Sequence, residues 1–246
     1  MKPTIVSITL PKSWQELKDA QLYYLYHLIA DTLSATQIKT FCFFKWGRLT
    51  IVCRYGDGFL ARRGKHEFYV TAETVAGALH ALDYIDDVPD QPVRITQIKG
   101  HDAVDALMVG VPFEVYLYIE NLYQGFLHTQ NHGLLVDMGQ MLYECSELQM
   151  NQAEKMSVFY WWTALKKYLA KEFPHFFSVA PTSETLQTKP VGRQLKEAMD
   201  VQIRALTKGD ITKEKEILAM DTWRALTELD AQAREAEEME RKYGKS

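Results

Sequence analysis

This chain predicts a mainly α fold with a small α+β part near its N-terminus and a helical hairpin at its C-terminus. Three observations carry that expectation. Beyond residue 112, apolar side chains recur at three- and four-residue steps, the period of a helix face. Strand-like runs bounded by glycine turns are confined to residues 41–70. From Ile211 to Ser246 the aromatic richness gives way to a charge-dense amphipathic pattern. With 246 residues, 47% hydrophobic and 24% charged, the chain can bury the core of one large domain or two small ones.

Taken in order, Ser13-Trp-Gln-Glu16 has the form of a capping box after Pro11. A helix is expected to open there and to run or restart as far as Leu33, with Leu22, Leu25, Ile29 and Leu33 inward. Phe41–Cys53 reads as a β-hairpin turning at Gly47-Arg48, which sets Cys42 opposite Cys53. Three cysteines without an export signal favour reduced, buried thiols over a cross-strand disulfide. Tyr55-Gly-Asp-Gly58 is a turn, and Glu67–Val70 a third strand. Thr71 can cap a helix to about Ile85. Asp83, Asp86, Asp87 and Asp90 cluster at its end, a spacing that fits a solvated loop and no calcium loop.

In the second half, Pro112 suits the first position of a helix over Phe113–His132 that stops at Gly133. Leu134–Glu147 is a further helix, and Asn151-Gln-Ala-Glu154 caps an aromatic one over Lys155–Lys171. Tyr116, Tyr118, Tyr123 and Phe126 are expected to pack against Phe159-Tyr-Trp-Trp162. Three prolines mark Phe173–Gly192 as a linker. Arg193–Thr207 and one long helix over Ile211–Arg241 then form a hairpin about Lys208-Gly-Asp210. The resulting regions are 1–100 (small α+β), 101–180 (aromatic-rich helical) and 193–246 (helical hairpin).

The totals exclude some functions. A net charge of −4 argues against nucleic acid as the main ligand, because phosphate binding needs a basic surface. The apolar run at the start is too short and interrupted for a signal peptide, and no stretch approaches a membrane span. A cytoplasmic location without a membrane partner is expected.

The candidate sites are of three kinds. A narrow apolar stripe on the last helix needs a surface to lie on, either the protein's own body or a partner. Trp223, Leu226 and Leu229 are its expected anchors for a partner protein. Trp161 and Trp162 offer a second contact, which includes self-association into a homo-oligomer. His128 and His132, at i and i+4, bring two imidazoles to one helical face, as a zinc or iron pair requires, but no third ligand accompanies them. Arg62-Arg63-Gly-Lys65 is the compact basic cluster a nucleic acid could use. No nucleophile–base arrangement can be picked out, and no cofactor is expected.

Ala205–Leu229 resembles the ends of proteins from bacterial prophage and mobile-element regions, which are similar to tail assembly chaperones of long-tailed phages. Leu10–Leu17, and Gly110–Leu117 with Tyr123-Gln-Gly125, carry the same resemblance. It implies a mostly helical, non-catalytic protein that binds a tape-measure protein or tail-tube subunits before assembly. It implies no site residues. The expectation is therefore a non-catalytic, protein-binding assembly factor. A metal-dependent hydrolytic enzyme on His128 and His132, and a nucleic-acid-binding accessory protein on Arg62, Arg63 and Lys65, are the alternatives.

Overall fold

The structure, a computed structural model, describes residues 7–178 and 191–243, with the backbone alone for 191–196 and 198. The first six residues and most of the expected linker, residues 179–190, lie outside that description. Among the described residues the fold is mainly α, with a three-stranded antiparallel sheet near the N-terminus and a helix pair near the C-terminal end. No described helix is long and apolar enough to cross a membrane. Two compact units divide the chain. The first comprises Met1–Pro89, Val93–Ile95 and Asn151–Ser157, and the second Asp90–Pro92, Thr96–Met150 and Val158–Ser246.

In the first unit the expected capping box at Ser13 does not cap a helix. Trp14–Glu16 make one 3-10 turn, Ser13 gives no side-chain cap, and Glu16 accepts from the Lys12 N–H at 2.8 Å. The helix starts later, as α1 (Asp19–Ile29), where the Lys18 N–H donates to Gln21 Oε1 at 3.0 Å. The larger correction concerns Phe41–Cys53, which is not a hairpin. Its first arm belongs to α2 (Ala35–Trp46). Ser34 and Gln37 exchange the two bonds of a capping box, at 2.8 and 3.3 Å, and that local satisfaction outweighs the strand preference of Phe41-Cys-Phe-Phe.

Strands β1 (Thr50–Tyr55), β2 (Gly58–Arg63) and β3 (His66–Thr71) follow in spatial order β1-β2-β3. Both turns are two-residue loops led by a glycine at positive φ, Gly56 at 58° and Gly64 at 62°. The turn expected at Tyr55–Gly58 is therefore present, but it joins the next pair of strands. Gly58 is required on packing grounds, since a Cβ there would stand 2.2 Å from the Val70 carbonyl oxygen. Thr71 caps α3 (Ala72–Leu79) by accepting from the Thr74 N–H at 3.0 Å. Beyond His80 the chain tightens to 3-10 geometry as far as Asp86.

Leu22, Leu25 and Tyr26 of α1, Cys42 and Phe43 of α2, and Leu82 are buried in this unit. Each large apolar side chain contributes about 1.5–3 kcal/mol by leaving water. Trp14 stacks on Tyr26 at 6.2 Å, and its indole N–H donates to the Tyr84 carbonyl at 2.8 Å. Two of the clustered acids are paired, because the Lys39 ammonium lies 2.6 Å from Asp83 and also meets Asp86. Lys39 and then His80 hold the Asp83 carboxyl below its ordinary value.

The second unit opens with a short hairpin, β4 (Gln97–Ile98) and β5 (His101–Asp102). Pro112 precedes α4 (Phe113–Thr129) as its cap position, and the helix ends at Gln130, left-handed at φ 55°. Helix α5 covers Gly133–Leu142. In α6 (Gln152–Glu172) the Asn151 box holds: Asn151 Oδ1 accepts from the Glu154 N–H at 3.1 Å, and Glu154 accepts from the Asn151 N–H at 2.8 Å. The aromatic packing is also as expected. Tyr123 and Phe126 meet Phe159 at 5.8 and 5.4 Å, and Tyr116 meets Trp162 at 5.6 Å. Tyr118 is the exception and faces outward, 51% exposed.

The remaining helices are α7 (Pro174–Ser178), α8 (Val191–Thr207), α9 (Glu214–Leu218) and α10 (Thr222–Tyr243). The single helix expected over Ile211–Arg241 is thus broken at Ala219–Asp221. Backbone groups there pair elsewhere in the chain. Phe113 N–H donates to Met220 O at 2.8 Å and Thr222 N–H to Val111 O at 2.9 Å, forming an antiparallel bridge between Pro112 and Asp221. Thr222 Oγ1 adds a 2.7 Å bond to the same Val111 carbonyl, and Asp221 Oδ2 accepts from Gly110 N–H at 2.6 Å. The Thr222 N–H, spent on the distant Val111 carbonyl, cannot also donate within the helical ladder, and the helix restarts with Asp221 Oδ1 capping the Arg224 N–H at 3.2 Å.

Candidate protein-binding surface

The five expected contact residues lie inside the second unit. Trp161 and Trp162 are fully buried. The Trp161 indole N–H donates to Ala106 O at 2.8 Å, and that of Trp162 to Glu120 Oε2 at 2.9 Å. Glu120 also accepts from Gln124 Nε2 at 2.7 Å and pairs with Lys166. Leu226 and Leu229 are buried as well. Trp223 is half-buried, with its ring 5.3 Å from Phe173 and its N–H on Leu107 O at 2.6 Å. The stripe on α10 therefore lies on the protein's own body. Trp161, Trp162, Leu226 and Leu229 stand as core residues, and Trp223 keeps part of its surface exposed.

His128 and His132 do not share a helix face. His128 is exposed in the last turn of α4, the left-handed Gln130 ends that helix, and His132 turns edge-on to Phe126 at 5.5 Å. Among the described residues no group of three or more His, Cys, Asp or Glu is placed to hold a metal ion. The basic cluster is also divided. Arg62 and Arg63 are consecutive on β2 and point to opposite faces, where Arg63 donates to the Ser7 carbonyl, while Lys65 sits in the turn.

What the structure brings together instead is the outer face of the small sheet. Cross-strand register places Tyr55, Cys53, Leu60 and Tyr69 on that face. The opposite face carries Phe59, Ala61, Phe68 and Val70, with Phe59 edge-on to Phe44 at 6.4 Å. Tyr55 and Tyr69 are 69% and 43% exposed and meet edge to face at 6.0 Å. All six residues of the edge strand β1 are exposed, among them Ile51 and Val52. The register slips at Val52, a bulge that leaves that residue outside the ladder.

Tyr69 is fixed in place by its hydroxyl, which donates to the Asp57 carboxylate. That bond holds the Asp57 carboxyl below its ordinary value and raises the Tyr69 hydroxyl above its own. The arrangement offers two oriented phenol rings, an apolar strip and a bulged edge. Rigid tyrosines beside apolar surface are typical contact groups of protein interfaces. Sequence reasoning missed this face because it placed the hairpin one element too early, although the alternation Cys53, Tyr55 and the turn glycines was present.

The cysteines follow from the corrected strands. Cys42 is buried on α2, Cys53 exposed on β1 and Cys145 half-buried, all as free thiols. Burial pushes the Cys42 thiol from 9.0 up to about 12. The unfolded chain therefore loses that proton first, so this group lowers stability only as pH rises from about 9.0 toward 12. Titration with a thiol reagent near neutral pH is expected to modify Cys53 at once and to spare Cys42 until denaturant is added. Early reaction of Cys42 would contradict its burial.

No protein-family model matches this chain, and no curated protein or solved structure shows a significant match to it.

Proposed function

We propose that this chain is a non-catalytic, protein-binding assembly factor of the tail-assembly-chaperone kind, which holds an apolar segment of a tape-measure or tail-tube protein before assembly. The observation that carries the reading is the outer sheet face of the first unit. Tyr55 and Tyr69 on that face, and Val52 at the bulge of its edge strand, keep apolar area in water that folding alone gives no reason to expose. The resemblance of Ala205–Leu229 to prophage-region proteins supports the partner class. The contact surface differs from the one the sequence suggests, because Trp223, Leu226 and Leu229 are engaged within the chain.

The test is a binding titration of the purified chain against the tape-measure and tail-tube proteins of the same mobile element. Tyr55→Ser combined with Tyr69→Ser is expected to weaken capture at least about tenfold, as loss of an aromatic interface pair does, with little change in the thermal melt. Unchanged capture by that variant would remove the sheet from the reading. If neither protein binds the parent chain, the proposal fails as a whole.

A further inference from the structure

A second surface lies in the second unit, and it does not rest on the sheet. Helices α4 and α5 pack against each other, and beside them runs a groove of about 560 Å³. Val115 and Tyr118, three residues apart, line it from one face of α4. Asp137, Gln140, Met141 and Glu144 line it from α5 and its exit, at the i, i+3, i+4, i+7 spacing of a single helix face. Val104, Val111 and Pro112 complete the apolar side.

The electrostatics of this groove have one sign. No lining residue is basic, and Asp137 and Glu144 form no ion pair with any described residue. The C-terminal end of α5 lies at the same end, and the negative pole of the helix dipole adds to the carboxylates there. Glu144 sits just beyond that end in the left-handed region, at φ 48°, a conformation an L residue with a long side chain seldom adopts. Its N–H on Met141 O at 3.3 Å and the following Cys145 N–H on Gln140 O at 2.9 Å hold it there. Tyr118, half in water, lines the same groove, and its ring is a group that can take a cation.

We infer that this groove docks a short segment of another protein in which Lys or Arg stands between apolar side chains. The apolar walls take the aliphatic groups, and the two carboxylates with the Tyr118 ring take the cation. A neutral apolar segment would leave both carboxylates beside it without a partner, and an acidic one would be repelled. The volume is that of a ligand-sized site, enough for the few side chains such a segment inserts.

The experiment uses the full chain and two fluorescein-labelled peptides, Ala-Leu-Lys-Leu-Lys-Leu-Ala and its twin with Glu for Lys, followed by anisotropy. The lysine peptide is expected to bind at least about tenfold more tightly than its twin, and to weaken at high salt. Asp137→Asn with Glu144→Gln should remove most of that preference, and Gln140→Lys, which sets an ammonium between the carboxylates, should block the peptide. Asp137 and Glu144 are exposed and Gln140 is half-buried, with its Nε2 on Leu148 O at 3.4 Å, so unchanged melts will certify the variants as folded. Tyr55→Ser with Tyr69→Ser should leave the peptide affinity as it was, which separates this site from the sheet. Equal binding of the two peptides, or full affinity in the carboxylate variant, overturns the proposal. So does a dimer of the parent chain that Asp137→Asn with Glu144→Gln dissociates, since the groove would then belong to a second copy.

Discussion

Trp161→Ala is expected to lower the unfolding free energy by about 3–5 kcal/mol, the range for emptying a buried tryptophan site. The residue has no exposed surface, it meets Tyr143 edge-on at 6.3 Å, and its N–H serves the Ala106 carbonyl at 2.8 Å. Truncation opens a cavity and takes a donor from that carbonyl, and losing a buried hydrogen-bond partner costs about 1–3 kcal/mol by itself. Trp161→Phe helps to divide the two effects, because it removes the donor while opening a smaller cavity than alanine does. Against a total stability of about 5–15 kcal/mol, the alanine variant loses a large part of its margin. Urea unfolding followed by circular dichroism measures it, and a loss below about 1 kcal/mol would contradict the packing described.

Leu226→Ala is expected to destabilise by about 2–5 kcal/mol and to strip hydrogen-exchange protection from α10. A leucine that anchors a partner would behave otherwise, with an unchanged melt and a lost complex. Burial favours the first outcome. Leu226 has no exposed area, neighbouring Ala225 has none, and Trp223 is tied to Leu107 O at 2.6 Å. An unaffected melt would return α10 to the role of a recognition arm.

The sequence carried the helical period well. Tyr116, Tyr123 and Phe126 recur at helix spacing, and the rings of 159–162 circle one turn, of which Phe159 and Trp162, three apart, meet the first set. Caps were legible where side chain and backbone are close in the chain, as at Asn151 and Thr71. The same logic applied to Ser34-Ala-Thr-Gln37 would have turned Phe41–Trp46 into a helix, but aromatic content weighed more heavily in the reading. The break at Ala219–Asp221 was of another kind. Its cause is a pair of backbone bonds to Val111 and Phe113, and hydropathy patterns say nothing about a partner so far along the chain. The outer sheet face was hidden for a related reason. Which side of a strand faces water depends on register, and a hairpin displaced by one element exchanges its partners.

The bridge between Pro112 and Asp221 also sets an order of events. It joins segments that are 111 residues apart where Thr222 meets Val111, so it contributes heavily to the contact order of its unit. On a ribosome, α4 and α5 emerge long before Asp221 does, at about 5–20 residues per second. For several seconds Phe113 N–H and Val111 O have only water as partners, and the seat of Trp223 stands open beside Leu107. The nascent unit thus passes through an interval as an incomplete helical platform, exposed to aggregation, until its last helix arrives and seals it.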